Sequence, residues 1–247
     1  MDSKKIKVIL CGYNWSGCKA LSILINRSDI SDIYVYTHNS EYFIPSLKNL
    51  CKKYKVKYSS KKISKKNLPF KPDIIASVSY KYIIPSEVIK LTKICGFNIH
   101  PSILPYYKGC SSVTWSMINN EKFIGYTYHL INKKIDSGDI LYQKKIELEC
   151  FDLQSTAYYR VMFESLKNFN IVMNKILNGF RGRIQKKIDK SYYNRGAPYD
   201  GKINPEWSIQ QIERFIRAMI FPPMKPARYK NKYILNVDDY TKLKNKL

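Results

Sequence analysis

Ile6-Lys-Val-Ile-Leu-Cys-Gly12-Tyr-Asn-Trp-Ser-Gly17 sets the fold class. The short apolar run from Ile6 to Leu10 carries β-branched residues and reads as a strand. Gly12 and Gly17 stop it, and Cys18, Leu21 and Ile25 then recur at helical spacing. Strand, glycine-bearing loop and helix together open an α/β domain. Working outward, Ile33-Tyr-Val-Tyr-Thr37 reads as a second strand, Ser40 to Tyr54 as a helix, and Ile74-Ile-Ala-Ser-Val78 as another strand. Ser86 caps a helix that Gly96 ends, and Phe97 to Ile99 re-enters the sheet. Strands and helices alternating in units of ~30 residues predict a Rossmann-like α/β fold, a mainly parallel sheet with helices on both faces.

The second half continues the pattern. Gly125 to Ile131 and Ile140 to Glu147 are extended runs expected to lie antiparallel around residues 132–139. Ser155 to Leu177 is the strongest helix, with Tyr158, Met162, Leu166, Phe169, Met173 and Ile176 as one apolar stripe and Gly179 at its C-cap. That stripe is packing rather than a cofactor box. A loop with Arg195-Gly-Ala-Pro198 and Asp200-Gly201 leads to a last helix. Ser208 and Gln211 form its capping box, Ile209, Ile212, Ile216 and Met219 point inward, and Pro222-Pro223 stops it. A short strand is expected from Lys232 to Val237. These elements divide the chain into a core at 1–180 and a small extension of helix and short strands at 181–247.

Composition bounds the function. Of 247 residues, 45% are apolar and 25% charged, near globular averages, which excludes wholesale disorder or a fibrous repeat. The 43 Lys and Arg outweigh 19 Asp and Glu, a net charge of +24. The Lys-Lys pairs are strewn along the chain, at 4–5, 52–53, 61–62, 65–66, 133–134, 144–145 and 186–187. A nucleic-acid binder gathers its charge on one face or arm. The charge therefore reads as a solvated basic surface with a modest pull on anionic substrates, and no nucleic-acid partner is expected. The apolar runs fall far short of the ~20 residues a membrane span needs, and Lys4, Lys5 and Lys7 precede neither an h-region nor a cleavage site. A cytoplasmic protein without a membrane partner is expected. Cysteines 11, 18, 51, 95, 110 and 150 show no CxxC pair and no ligand spacing, so buried reduced thiols and no metal are expected.

The first glycine loop is neither GxGxxG nor a P-loop, so it carries little evidence for NAD or ATP. More informative is Phe97-Asn-Ile-His100-Pro-Ser-Ile-Leu-Pro105-Tyr-Tyr-Lys-Gly109. On a strand, Asn98 and His100 leave the same face, and a strand's carboxyl end is where open α/β sheets bind ligands. Ile135-Asp-Ser-Gly-Asp-Ile140 adds a carboxylate in a tight loop. An amide, an imidazole and a carboxylate suit acyl transfer to an amine: His100 takes the ammonium proton, Asn98 stabilises the oxyanion, and Asp136 orients the histidine. His38 and His129 have no such company in sequence and are assigned structural roles.

The Asn-Ile-His-Pro-Ser-Ile-Leu-Pro-Tyr-Tyr-Lys-Gly stretch resembles the Asn-x-His…Leu-Pro-x-x-x-Gly signature of the folate-dependent formyltransferases. Ile135-Asp-Ser-Gly-Asp-Ile resembles their second signature, and the spacing of about three dozen residues between His100 and Asp136 also agrees. The resemblance spans roughly residues 5–180. It implies an N-formyltransferase that uses N10-formyltetrahydrofolate as co-substrate, with no metal and with Asn98, His100 and Asp136 as the catalytic trio. It also implies pterin binding near Tyr82, Ile84, Asn132 and Lys133.

Within that family, methionyl-tRNA enzymes add a β-barrel domain of about a hundred residues, whereas only 68 residues follow Gly179 here. The tail, with Ile216-Arg-Ala218 and Phe221-Pro-Pro223, is similar to that of nucleotide-sugar N-formyltransferases. This implies a nucleotide-linked amino-dideoxy sugar as partner, such as dTDP-4-amino-4,6-dideoxyglucose destined for O-antigen, and a homodimer. A base needs flat walls and a diphosphate fixed cations. Tyr13, Trp15, Tyr80 and Phe221 are candidate walls, Lys81 and Arg217 candidate cations, and Asn14 lies among them. Two alternatives stay open: a tRNA-formylating enzyme without the barrel, and a non-catalytic binding relative.

Overall fold

The computed structural model describes residues 5–41, 43–188 and 192–245. Its elements run β1 (Ile6–Gly12), α1 (Asn14–Ile25), β2 (Ile30–Tyr36), α2 (Leu47–Lys53), β3 (Lys57–Ser59), β4 (Ile74–Val78), α3 (Ser86–Ile89), β5 (Cys95–His100), β6 (Lys108–Gly109) and α4 (Ser112–Ile118). They continue with β7 (Phe123–Leu130), β8 (Ile140–Glu147), α5 (Gln154–Lys167), α6 (Phe169–Leu177), β9 (Tyr192–Tyr193), α7 (Ile209–Ala218), β10 (Arg228–Tyr229), β11 (Lys232–Tyr233) and α8 (Val237–Lys244).

Seven strands form one sheet in the order β3-β2-β1-β4-β5-β7-β8. The first five are parallel to their neighbours, and β7 runs antiparallel to β5. The expected α/β class and mainly parallel sheet are therefore present. β1 is central, and its Val8, Ile9 and Leu10 are fully buried, as are Ile74, Ile75 and Ala76 of β4. Strands covered on both faces need such continuous apolar runs, and each fully buried aliphatic side chain contributes about 1.5–3 kcal/mol.

The glycines of the opening loop have a packing reason. A Cβ on Gly17 would lie 3.1 Å from the carbonyl carbon of Gly12, and one on Gly12 would lie 3.3 Å from Gly17 Cα. The start of α1 thus presses directly on the end of β1, backbone against backbone.

Contacts divide the chain into two compact units. The first comprises Met1–His100, Thr127–Tyr142 and Phe163–Gln185; the second comprises Pro101–Tyr126, Gln143–Met162 and Lys186–Leu247. A cluster of Ile9, Cys11, Tyr36, Ile63, Ile75, Ile84 and Val88 lies in the first unit. In the second, Ile203, Ile212, Phe215, Ile216, Ala227, Ile234 and Tyr240 form a separate core. No helix among the described residues is long and apolar enough to cross a membrane.

Several expected boundaries move. The helix expected from Ser40 begins only at Leu47, after Pro45, with the Ser46 side chain accepting from Asn49 N; Tyr42, inside that expectation, lies outside the described residues. The helix from Ser86 is a single turn whose N-cap is Pro85 rather than Ser86. Beyond it, the amides of Lys93 and Ile94 bond the carbonyls of Pro72 and Asp73 instead of continuing a helical ladder. The long helix is two, parted at Asn168, whose side chain donates to Glu164 O, and Gly179 follows with φ +88° as its cap requires. The Ser208/Gln211 capping box is present in both directions, but Ile209 is exposed rather than inward. Of the strand expected from Lys232 to Val237 only Lys232–Tyr233 forms, because Asn236 caps a helix by accepting from Asp239 N. α4, β3 and β6 were not legible as elements. All six cysteines are free, and Cys150 is exposed, contrary to a uniformly buried set.

The Gly12–Gly17 contact makes a direct prediction. Gly17→Val should lower stability by about 1–3 kcal/mol, because a branched side chain is forced into a packed site and gains little over glycine in helix propensity. Urea unfolding of the two proteins reads this directly, and an unchanged midpoint would contradict the close approach.

Candidate active site

Asn98 and His100 stand two residues apart on β5 and share a face. β7 lies alongside with His129 opposite Asn98 and Thr127 opposite His100. Cross-strand partners project to the same side of a sheet, so His129 joins the pair. The loop after β7 then lays Asp136 against the two histidines. Its Oδ2 is 3.5 Å from His100 Nδ1 and its Oδ1 is 3.4 Å from His129 Nε2. Asn98 Nδ2 lies 3.2 Å from His129 Nε2. The sequence-based trio therefore meets in the first unit, and His129, assigned only a structural role from sequence, is its fourth member.

The hydrogen bonds fix the tautomer of His129. Its Nδ1 lies 2.9 Å from Leu130 O, and a carbonyl can only accept, so Nδ1 carries the proton. In the neutral ring Nε2 is then an acceptor, filled by one N–H of the Asn98 amide. This holds the amide plane and leaves its second N–H for another acceptor. His100 turns Nδ1 to the carboxylate, so proton exchange with a reactant falls to Nε2. A carboxylate on that side stabilises the imidazolium. The arrangement can accept a proton at His100 and donate a fixed N–H to a developing oxyanion.

The loop carrying Asp136 is built for this position. Asp136 itself has φ +50°, a left-handed conformation open to Asp and Asn. Asn132 Oδ1 accepts from Lys134 N at 3.1 Å and from the Ser137 hydroxyl at 2.9 Å. Gln185 Nε2 donates to the carbonyls of Asp136 and Gly138, at 3.0 and 2.7 Å. A Cβ on Gly138 would fall 1.8 Å from Leu130 O, so only glycine lets the loop lie this close to β7. Asn132 therefore shapes the loop, while Lys133 is exposed on it.

At the carboxyl ends of β1, β2 and β4 a second cluster gathers. Tyr13 stacks on His38, with centroids 3.9 Å apart, and His38 meets the edge of Tyr82, which in turn packs against Tyr80. Lys81 and Lys62 both lie over the Tyr82 ring, at 4.9 and 6.0 Å. Tyr80 Oη accepts from Ile63 N, and Ile84 is buried in the apolar cluster below. Asn14, with φ +53°, accepts from Ser16 N and Ser16 Oγ and so starts α1. Trp15 stacks on Phe163. His38 is nine-tenths buried, and its Nδ1 is sealed without a hydrogen-bond partner among the described residues. An orphaned buried polar atom costs about 1–3 kcal/mol.

Residues 19–171 match the formyl transferase family. The chain belongs to the formyltransferase family. It is 33% identical over 247 residues to GDP-perosamine N-formyltransferase of Brucella melitensis, covering 96% of this chain and 95% of that one. Among solved structures it is similar to an N-formyltransferase from Helicobacter canadensis in complex with folinic acid and dTDP-3-aminofucose, at 24% identity, TM-score 0.78, and 94% and 87% coverage of the two chains. A 4-N formyltransferase from Francisella tularensis gives 23% identity, TM-score 0.76, and 92% and 93% coverage. These structures agree in fold.

Among the described residues no group of His, Cys, Asp and Glu is placed to hold a metal ion. Two residues expected at the substrate sit in the second unit with partners of their own. Arg217 Nη1 donates to Asp152 O at 2.9 Å and its Nε lies 3.7 Å from Glu213. Phe221 packs on Tyr158 and Tyr159.

His38 supplies a pH prediction. Burial, with Lys81 nearby, pushes its imidazole down from 6.5 to about 4. Between those values the unfolded chain binds the proton and the folded one does not. The stability tied to neutral His38 is thus present above pH 6.5 and lost as pH falls toward 4. The urea midpoint should drop over that window, and less steeply in His38→Gln. Parallel pH profiles for the two proteins would refute the assignment.

Proposed function

We propose that this formyltransferase transfers the formyl group of N10-formyltetrahydrofolate to the amine of a nucleotide-linked amino-dideoxy sugar. The observation that carries the reading is the assembled cluster of Asn98, His100, Asp136 and His129, in a chain similar along nearly its whole length to a GDP-perosamine N-formyltransferase. In this reading the amine nitrogen attacks the formyl carbon, and the second N–H of Asn98 meets the oxyanion. His100 Nε2 takes the proton the amine releases and returns it to the leaving nitrogen. Asp136 holds His100 and balances its charge.

Tyr82, Ile84, Asn132 and Lys133 line the folate side through backbone groups, while the Tyr82 ring packs in the Tyr13, His38 and Tyr80 cluster. Tyr13, Asn14, Trp15, Tyr80 and Lys81 face the sugar nucleotide, where the flat rings suit a base and the lysine a diphosphate. Residues 1–180 serve as the catalytic core, and 181–247 as an extension for substrate or dimer contacts. The product enters a surface polysaccharide such as O-antigen, formed in the cytoplasm by a homodimer. Two sugar nucleotides head the substrate list: dTDP-4-amino-4,6-dideoxyglucose, suggested by the tail, and GDP-perosamine, suggested by the relative.

Mass spectrometry of reactions with N10-formyltetrahydrofolate and a panel of dTDP-, UDP- and GDP-linked amino sugars, beside aminoacylated initiator tRNA, tests this. One sugar nucleotide should gain a formyl group. Formylation of the tRNA alone would sink the sugar reading. On the active substrate, His100→Ala should cost about 10²–10⁴-fold in kcat and Asn98→Ala about 10²–10³-fold, with the folded state retained by circular dichroism. Near-normal turnover in both would remove the catalytic assignment.

A further inference from the structure

We propose that His38 recognises the nucleoside of the sugar nucleotide, donating or accepting one hydrogen bond through Nε2 to a ribose hydroxyl or a base edge. The inference rests on the sugar-nucleotide reading above and adds a residue that sequence placed in the structural background. Four observations carry it. His38 follows β2, whose parallel register with β1 places Tyr36 beside Cys11, so it emerges at the carboxyl-end edge of the sheet. That edge is where open α/β sheets take their ligands, and the residue about twenty positions past the glycine loop is the one that meets a ribose in nucleotide-binding sheets.

The ring is fixed on both sides by Tyr13 and Tyr82, a flat, preorganised platform. With Nδ1 sealed in the protein, Nε2 is the ring's one remaining polar edge. The ring is also uncharged: protonation would put a second N–H into the unpartnered pocket at Nδ1, beside Lys81. A neutral imidazole is a poor phosphate ligand and a good partner for an uncharged hydroxyl, carbonyl or ring nitrogen. The cations for phosphate, Lys81 and Lys62, stand next to it over Tyr82. One cluster thus offers a platform, a single neutral polar edge and positive charge, the three features of a nucleoside diphosphate.

The test uses His38→Phe, which keeps a stacking ring and removes both nitrogens, and His38→Gln, which restores a polar end. Steady-state kinetics on the sugar nucleotide identified by the panel should show KM for that substrate raised about tenfold in His38→Phe, the loss of one neutral hydrogen bond. The KM for N10-formyltetrahydrofolate and kcat should stay within about twofold of wild type, and His38→Gln should recover part of the loss. Competition with dTDP, UDP and GDP should show the same weakening. An equal factor for all three assigns the contact to ribose, and a base-dependent factor assigns it to the base.

Unchanged KM for the sugar nucleotide in His38→Phe overturns the proposal, as does a parallel rise in the folate KM, which a merely structural role would give. Should His38→Phe not fold, the same comparison is read on His38→Gln, where wild-type values overturn it. A wild-type enzyme that formylates none of the sugar nucleotides and binds none of the nucleotides defeats the underlying reading itself. An active wild type with indifferent His38 variants defeats this inference alone.

Discussion

The Asp136 carboxylate, one-tenth exposed, is held between two buried imidazoles. A carboxylate taken this far out of water is tolerated only with polar partners at hand, and the surrounding structure supplies them. Asp136 reaches both rings because its loop turns through a left-handed φ and lies flat on β7. The loop lies flat because residue 138 has no Cβ, and it keeps its shape through Asn132, Ser137 and Gln185. The strands obey the same constraint. A register slip of one residue between β5 and β7 would send His129 to the opposite face, leaving the Asn98 amide without its acceptor. Register, turn and side-chain chemistry thus depend on one charge.

The carboxyl-end edge carries two electrostatic environments. At β5 the histidine faces a carboxylate, which favours its charged form and suits proton transfer. Past β2 the histidine meets Tyr13, Tyr82 and Lys81, and stays neutral. The same residue type serves different chemistry because different strands deliver different company. The chain turns back from β3 to β4 on the far side of β1, so the loops after β1 and β4 separate at this point of the sheet. Tyr13 and Tyr80–Tyr82 sit on those diverging loops, the natural opening for a ligand in such a fold.

Much of the first unit was readable because local pattern and tertiary demand coincide. The Ile74–Val78 run is β4 to the residue, and Asn98 and His100 share a face of β5 as their spacing requires. What escaped depends on relations sequence does not display. His129 enters the site through the β5–β7 register, and nothing near it in sequence is polar enough to announce a role; pairing Asn98 with the only histidine of the next strand was the one available signal. His38 acquires its neutral state from Tyr13 and Lys81, 25 and 43 positions away. Helix ends failed for a related reason: past α3 the distant carbonyls of Pro72 and Asp73 take the amides of Lys93 and Ile94, and Asn236 starts α8 inside what looked like a strand. In the second unit, Arg217 reads in sequence as a candidate cation for a diphosphate but is drawn to the Asp152 carbonyl and Glu213.

These differences in legibility bear on how such an enzyme can change substrates. The proton-transfer cluster is locked by backbone features: a strand register, a left-handed residue, and a glycine that admits no side chain. Substitution within it disturbs several bonds together. The Tyr13, His38, Tyr80, Lys81 and Tyr82 cluster is made of side chains standing on loops beyond the strand ends, and replacing one ring leaves the sheet below intact. On the assignment proposed above, nucleotide preference can therefore drift through loop side chains while the Asn98, His100 and Asp136 cluster stays fixed.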